Sequence, residues 1–134
     1  MDLFAQLRKM NLLLIDDDEW VRNSLQLFFE SEGCKIVVLK TAEEGLDLIE
    51  DRRFDIIIAD YRLPGIDGLE FIRRLPFKQS GALKILITAY GSKDILSKIQ
   101  AAGIHGFIAK PFTSEVIEAT LKRLICQIKG MSEH

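Results

Sequence analysis

Apolar residues are not spread evenly along the chain. The runs Leu12 to Ile15, Lys35 to Leu39, Asp55 to Ala59 and Leu83 to Thr88 are nearly continuous in Leu, Ile and Val and are bounded by charged or turn residues. That pattern predicts strands covered on both faces. A further run, His105 to Ala109, follows Gly103 and is closed by Lys110-Pro111, where proline ends strand pairing. Between the runs the apolar spacing changes to three and four residues, as at Val21, Leu25, Phe28 and Phe29, which predicts helices. A second helix opens at Thr41, whose hydroxyl and the Glu44 carboxylate are spaced as a capping box. A third runs from Asp67-Gly68 through Leu69, Phe71, Ile72 and Leu75 to Pro76, a fourth from after Ser92 to Gly103, and a fifth from Thr113 or Ser114. The Leu3, Phe4, Leu7 pattern near the N-terminus could, as a short helical turn, cover the sheet edge or pack on a partner.

Strand and helix alternate five times. Parallel neighbours need a crossover connection, usually helical, so the alternation predicts an α/β fold with a doubly wound parallel sheet of five strands and five helices. The expected organisation is an N-terminal extension over residues 1–10, one domain over 11–130, and a tail over 131–134. In such sheets ligands bind beyond the carboxyl ends of the strands, where strand order reverses.

Composition narrows the function class. A chain of 134 residues, 48% apolar and 28% charged with a net charge of −2, has the make-up of a single globular domain able to bury its own core. Its 18 Lys and Arg are scattered and outnumbered by 20 acids, so direct nucleic-acid binding by this domain is not expected. Cys34 and Cys126 lie far apart and outside any metal-site spacing, as free thiols in a reducing compartment would. No apolar run approaches the roughly 20 residues that span a bilayer, and the N-terminus lacks the features of a secretory signal. A cytoplasmic location without membrane contact is expected.

The predicted strand ends carry Asp16, Asp17 and Asp18 after the first strand, Asp60 after the third, Thr88 on the fourth and Lys110 after the fifth. Any one aspartate there could be a cap or turn former, and Asp18 and Asp67 sit where helix caps belong. The joint set of carboxylates, a hydroxyl and an ammonium suits Mg²⁺, which is typically held by one or two carboxylates plus phosphate oxygens. A divalent cation would remove the repulsion among the acids and shield attack of an Asp60 oxygen on phosphorus. Thr88 and Lys110 would bind the other phosphoryl oxygens.

Four segments, Leu12-Leu-Leu-Ile-Asp16-Asp17-Asp18, Asp55-Ile-Ile-Ile-Ala-Asp60-Tyr-Arg-Leu-Pro64-Gly-Ile-Asp-Gly68, Ile85-Leu-Ile-Thr88-Ala89 and Phe107-Ile-Ala-Lys110-Pro111-Phe112, resemble the signature blocks of the response-regulator receiver domains of two-component signalling. The resemblance runs from about Asn11 to Lys129, with the blocks in the family order and spacing. It implies a flavodoxin-like sheet of order 2-1-3-4-5 and a phosphoryl group passed from a histidine kinase or histidine phosphotransfer protein to Asp60. It further implies metal binding by Asp17, by Asp16 through water, by Asp60 and by the main-chain carbonyl of Arg62, with Lys110 paired to the phosphoryl group. Thr88 and Phe107 correspond to the family's switch pair, Phe107 standing where Tyr is commoner. The implied output is a changed docking face, formed by the fourth predicted helix, fifth strand and fifth helix, for a downstream protein or effector domain, with phosphorylation-promoted homodimerisation plausible by resemblance. Such a domain assists its own phosphorylation and dephosphorylation but is no enzyme on an external substrate.

Arg62 and Tyr90, each two residues beyond Asp60 and Thr88, are positioned in sequence to tune the lifetime of the phosphoryl group. His105 is read as structural. Two other functions compete. In a haloacid-dehalogenase-like phosphatase the Asp16-x-Asp18 pattern would supply the nucleophile, but Asp60 would lack a role. In a constitutive docking module the acids, Thr88 and Lys110 would be surplus. The sequence leaves open whether the chain is a single-domain regulator or the receiver of a longer protein.

Overall fold

The predicted alternation is realised in the structure, a computed structural model that describes residues 2–89 and 93–128. Strands β1 (Asn11–Ile15), β2 (Lys35–Leu39), β3 (Ile56–Asp60), β4 (Leu83–Thr88) and β5 (Gly106–Ala109) form one sheet. All neighbours are parallel, in the order β2-β1-β3-β4-β5. The chain leaves β1 toward β2 on one side and returns to β3 on the other, so the strand order reverses between β1 and β3. Ile15 pairs with Ala59 there, and the next residues, Asp16 and Asp60, leave the sheet side by side.

Alternation along the central strands splits the interior into two cores, because successive side chains point to opposite faces. Leu12, Leu14, Ile56, Ile58, Ile85 and Ile87 face α2 (Glu19–Ser31) and α6 (Ser114–Ile128) through Leu25, Phe29, Ile117 and Leu121. Leu13, Ile15, Ile57, Ala59 and Leu86 face α3 (Ala42–Asp51), α4 (Gly68–Arg73) and α5 (Lys93–Ala101) through Ile49, Leu69, Phe71 and Ile99. Burying each large aliphatic side chain contributes about 1.5–3 kcal/mol, and β3 is buried at every position. The expectation of burial on both faces fails for β2: it is an edge strand, and only Ile36 of its five residues is fully buried.

The helix starts follow the local chemistry of their caps. Asp18 Oδ1 accepts the Trp20 N–H at 2.9 Å, Asp67 Oδ1 accepts the Glu70 N–H at 2.8 Å, and Thr41 and Glu44 form the complete capping box. One predicted boundary differs. The helix expected to reach Pro76 ends at Arg73, because a proline disfavours helical backbone in the residue before it. The chain resumes as a 3₁₀ turn at Phe77–Gln79.

Six α-helices are present among the described residues where five were expected. The additional one is α1 (Leu3–Leu7), capped by Asp2 through the Ala5 N–H. Five residues are too few for a helix to persist alone in water. It forms on the protein's own core: Leu3 and Leu7 are buried with the α2 and α6 side chains, and the Phe4 ring meets Phe28 edge-on at 5.9 Å.

Candidate functional site

Three carboxylates and one ammonium converge at the carboxyl end of the sheet. Asp16 follows β1, Asp60 ends β3, and Lys110 follows β5. The Lys110 Nζ lies 3.1 Å from Asp60 Oδ2 and 3.1 Å from Asp16 Oδ2. Asp17 completes the group: one oxygen from each of Asp16, Asp17 and Asp60 lies within 4.8 Å of the others. Asp16 is fully buried and Asp60 nearly so, whereas Asp17 is exposed. Thr88, also buried, ends β4 beside them, and its carbonyl accepts the Lys110 N–H at 2.8 Å. The Tyr61 N–H donates to the Ile87 carbonyl at 2.7 Å, which extends the β3–β4 pairing past Asp60.

The loop after β1 is held from two directions. Asp16 Oδ1 accepts the Asp18 N–H at 2.9 Å, and the Arg22 Nη1 donates to the Asp16 carbonyl at 2.9 Å from one turn into α2. On the other side of the site, Gly68 opens α4 directly against β3. A Cβ added at Gly68 would collide with the main-chain carbonyl oxygen of Asp60, so only glycine lets the helix approach this closely.

Two buried carboxylates, Asp16 and Asp60, share one ammonium here. Burial pushes the Asp16 carboxyl up to about 6, with the Asp60 charge adding to the rise and the Asp18 N–H and Lys110 opposing it. Burial also pulls the Lys110 ammonium down, but its hydrogen bonds with Asp60 and Asp16 outweigh that and hold it above the ordinary lysine value. Asp16 Oδ2 is buried and faces the Lys110 ammonium at 3.1 Å without a well-directed hydrogen bond. Three hard oxygen donors within a few ångströms of one another fit a small divalent cation such as Mg²⁺.

The remaining sequence-predicted residues are placed less centrally. Arg62 is exposed and lines, with Asp17, Tyr61, Gly65 and Asp67, an open depression of about 550 Å³ beside the acids. Phe107 on β5 is 39% exposed, so its ring is not part of the core here. Tyr90 lies outside the described residues. Sequence reasoning missed two contacts that shape the site, Arg22 to the Asp16 carbonyl and Glu43 Oε2 to the Ile66 N–H at 3.2 Å. Both join a side chain to a backbone group in another segment, and no motif spacing announces such a bond.

Residues 12–122 match the response regulator receiver domain family. The transcriptional regulatory protein AfsQ1 of Streptomyces coelicolor is 31% identical over 116 residues, which cover 86% of this chain and 51% of AfsQ1. Sporulation initiation phosphotransferase F of Bacillus subtilis is 28% identical over 114 residues, 85% of this chain and 92% of that protein. Among solved structures, a CheY-like response regulator receiver domain protein from Methanospirillum hungatei superposes with a TM-score of 0.80 at 30% identity, covering 90% of this chain and 98% of that one. The chain spans about half the length of the first of these relatives.

Proposed function

This chain belongs to the response regulator receiver domain family, and from that premise we propose that it is a phosphorylation-dependent switch whose phosphoryl acceptor is Asp60. The observation that carries the reading is the convergence of Asp16, Asp17 and Asp60 on one another and on Lys110 at the carboxyl ends of the strands. A carboxylate oxygen of Asp60 attacks the phosphorus of a phosphohistidine on a histidine kinase or phosphotransfer protein. The new P–O bond forms as the P–N bond breaks, and the histidine leaves. Lys110, already paired with Asp60, neutralises charge on the transferred group. Thr88, ending the neighbouring strand, supplies a hydroxyl to a phosphoryl oxygen.

Mg²⁺, held by Asp17, Asp60 and the Arg62 main-chain carbonyl, with Asp16 acting through water, would supply charge neutralisation for phosphoryl transfer. In this reading the protein assists its own phosphorylation and dephosphorylation and turns over no external ester. Arg62 and Tyr90 would set the lifetime of the acyl phosphate by flanking the path of a hydrolytic water. Engagement of Thr88 by the phosphoryl group would free space for Phe107 to turn inward and so change the α5-β5-α6 face. The exposed Leu96, Phe107 and Val116 on those three elements support that face as the surface presented to a downstream protein, an effector domain or a second copy. Among the described residues no helix is long and apolar enough to cross a membrane.

The test is intact-protein mass spectrometry after incubation with a small-molecule phosphoryl donor, with and without Mg²⁺. The expected result is a Mg²⁺-dependent gain of about 80 Da, one phosphoryl group, that is lost in Asp60→Asn. No adduct under any condition would overturn the reading, and an adduct retained in the variant would move the acceptor to another residue.

A further inference from the structure

We propose that Glu43 is a positioning residue that holds the loop between β3 and α4 in the conformation presenting the Arg62 main-chain carbonyl to the cation site. The inference rests on the metal-binding role proposed above for that carbonyl. A side-chain ligand can adjust its torsions, whereas a main-chain carbonyl points wherever its backbone points. Mg²⁺ demands near-ideal octahedral geometry. Whatever fixes this loop therefore fixes part of the cation's affinity.

The base of the loop is closed locally. The Leu63 and Gly68 N–H groups both donate to the Tyr61 carbonyl, at 3.2 and 3.0 Å, and Asp67 is committed to capping α4. The tip, residues 64–66, receives a side-chain anchor from α3. Glu43 Oε2 accepts the Ile66 N–H at 3.2 Å across 23 residues of sequence.

Gly65 lies directly against the same carboxylate with φ +77°, and a Cβ built there would come within 2.5 Å of Glu43 Oε2. A glycine at this position thus satisfies two demands at once, the left-handed backbone and the close approach of Glu43. Helix α3 does not need Glu43 for its own start, because Glu44 performs the capping-box role with Thr41. The carboxylate one residue earlier is left to reach across to the loop.

The experiment is calorimetric titration of Mg²⁺ into the wild type, Glu43→Ala and Glu43→Gln, with the Ile66 amide resonance and the thermal midpoint recorded for each. Losing one hydrogen bond to a carboxylate at this exposed position should weaken Mg²⁺ binding about threefold to tenfold in Glu43→Ala. Glu43→Gln keeps an oxygen acceptor and should return the affinity to within about twofold of wild type, with the Ile66 amide shift restored alongside. A purely structural role would lower the thermal midpoint and leave the Mg²⁺ constant alone. That outcome overturns the inference, as does a glutamine variant as weak as the alanine one, because then charge and not the hydrogen bond matters. If the wild type binds Mg²⁺ and the alanine variant binds equally well, only this inference falls. If the wild type takes up no Mg²⁺, the metal role proposed for the site falls first and this inference with it.

Discussion

Individual polar residues outside the site hold connections that the apolar pattern does not explain. Gln79 is fully buried, yet each end of its amide is used: Oε1 accepts the Phe54 N–H at 3.0 Å, and Nε2 donates to the Ile49 and Arg52 carbonyls at 2.9 and 2.6 Å. It ties the end of α3 and the approach to β3 to the turn that precedes β4. His105 does comparable work at the start of β5. Its Nδ1 accepts the Lys84 N–H at 2.9 Å while the His105 main-chain N–H donates to the Lys84 carbonyl at 2.8 Å, so the imidazole lengthens the β4–β5 pairing by one bond. Only a histidine unprotonated at Nδ1 can accept there. Burial, with the Lys84 charge adding, holds its pKa below the ordinary 6.5. The folded state therefore binds the proton less readily than the unfolded chain. The stability due to the neutral ring is full above 6.5 and is lost as pH falls from there through the lower folded value. The expected outcome is a thermal midpoint that drops less between pH 7 and pH 5 in His105→Gln than in the wild type. Equal drops would show that the ring's protonation is not felt by the fold.

At the scale of elements, α1 is the test of whether a five-residue helix belongs to the domain. Leu7 is fully buried in the core shared by α2 and α6, Phe4 meets Phe28 edge-on, and the Arg8 Nε donates to the Glu32 carbonyl at 2.8 Å. Deleting a leucine side chain from such a site costs the lost transfer energy plus a cavity term. Leu7→Ala should therefore lower the unfolding free energy by about 3 kcal/mol in a urea titration. A loss below about 1 kcal/mol would mean that α1 peels away without consequence for the domain. The five strands and the longer helices were legible in the sequence because their apolar periods are long enough to be distinctive. Three large apolar residues in a five-residue helix are not, which is why Leu3, Phe4 and Leu7 left both a sheet-edge and a partner role open, and neither reading placed them in the core with α2 and α6. The site was legible for a topological reason: in this fold the residue following a strand lands at one end of the sheet, so Asp16, Asp60 and Lys110 could be grouped before any distance was known. Glu43, Arg22 and Gln79 were not, since each acts through a backbone group that only the folded chain brings near.

For the whole molecule, the same topology that builds the core gathers like charges. Parallel β1 and β3 deliver Asp16 and Asp60 to neighbouring positions, Asp17 follows on the loop, and Lys110 is the cation paired with them among the described residues. Three ionised carboxylates against one ammonium leave the site with a negative excess, and burial of Asp16 makes that excess more costly. A divalent cation that binds only the folded state should offset part of that cost. At a concentration 100-fold above its dissociation constant the gain is about 2.7 kcal/mol, enough to raise the thermal midpoint of a domain this size by several degrees. The expected outcome of scanning calorimetry is a higher midpoint in Mg²⁺ than in chelator for the wild type. Asp16→Asn removes a buried charge while keeping the side chain's shape, so its midpoint in chelator should lie above that of the wild type and its gain from Mg²⁺ should be smaller. If instead Asp16→Asn is less stable in chelator, the Lys110 ion pair outweighs the cost of burying the carboxylate, and the cluster is a structural bridge before it is a cation site.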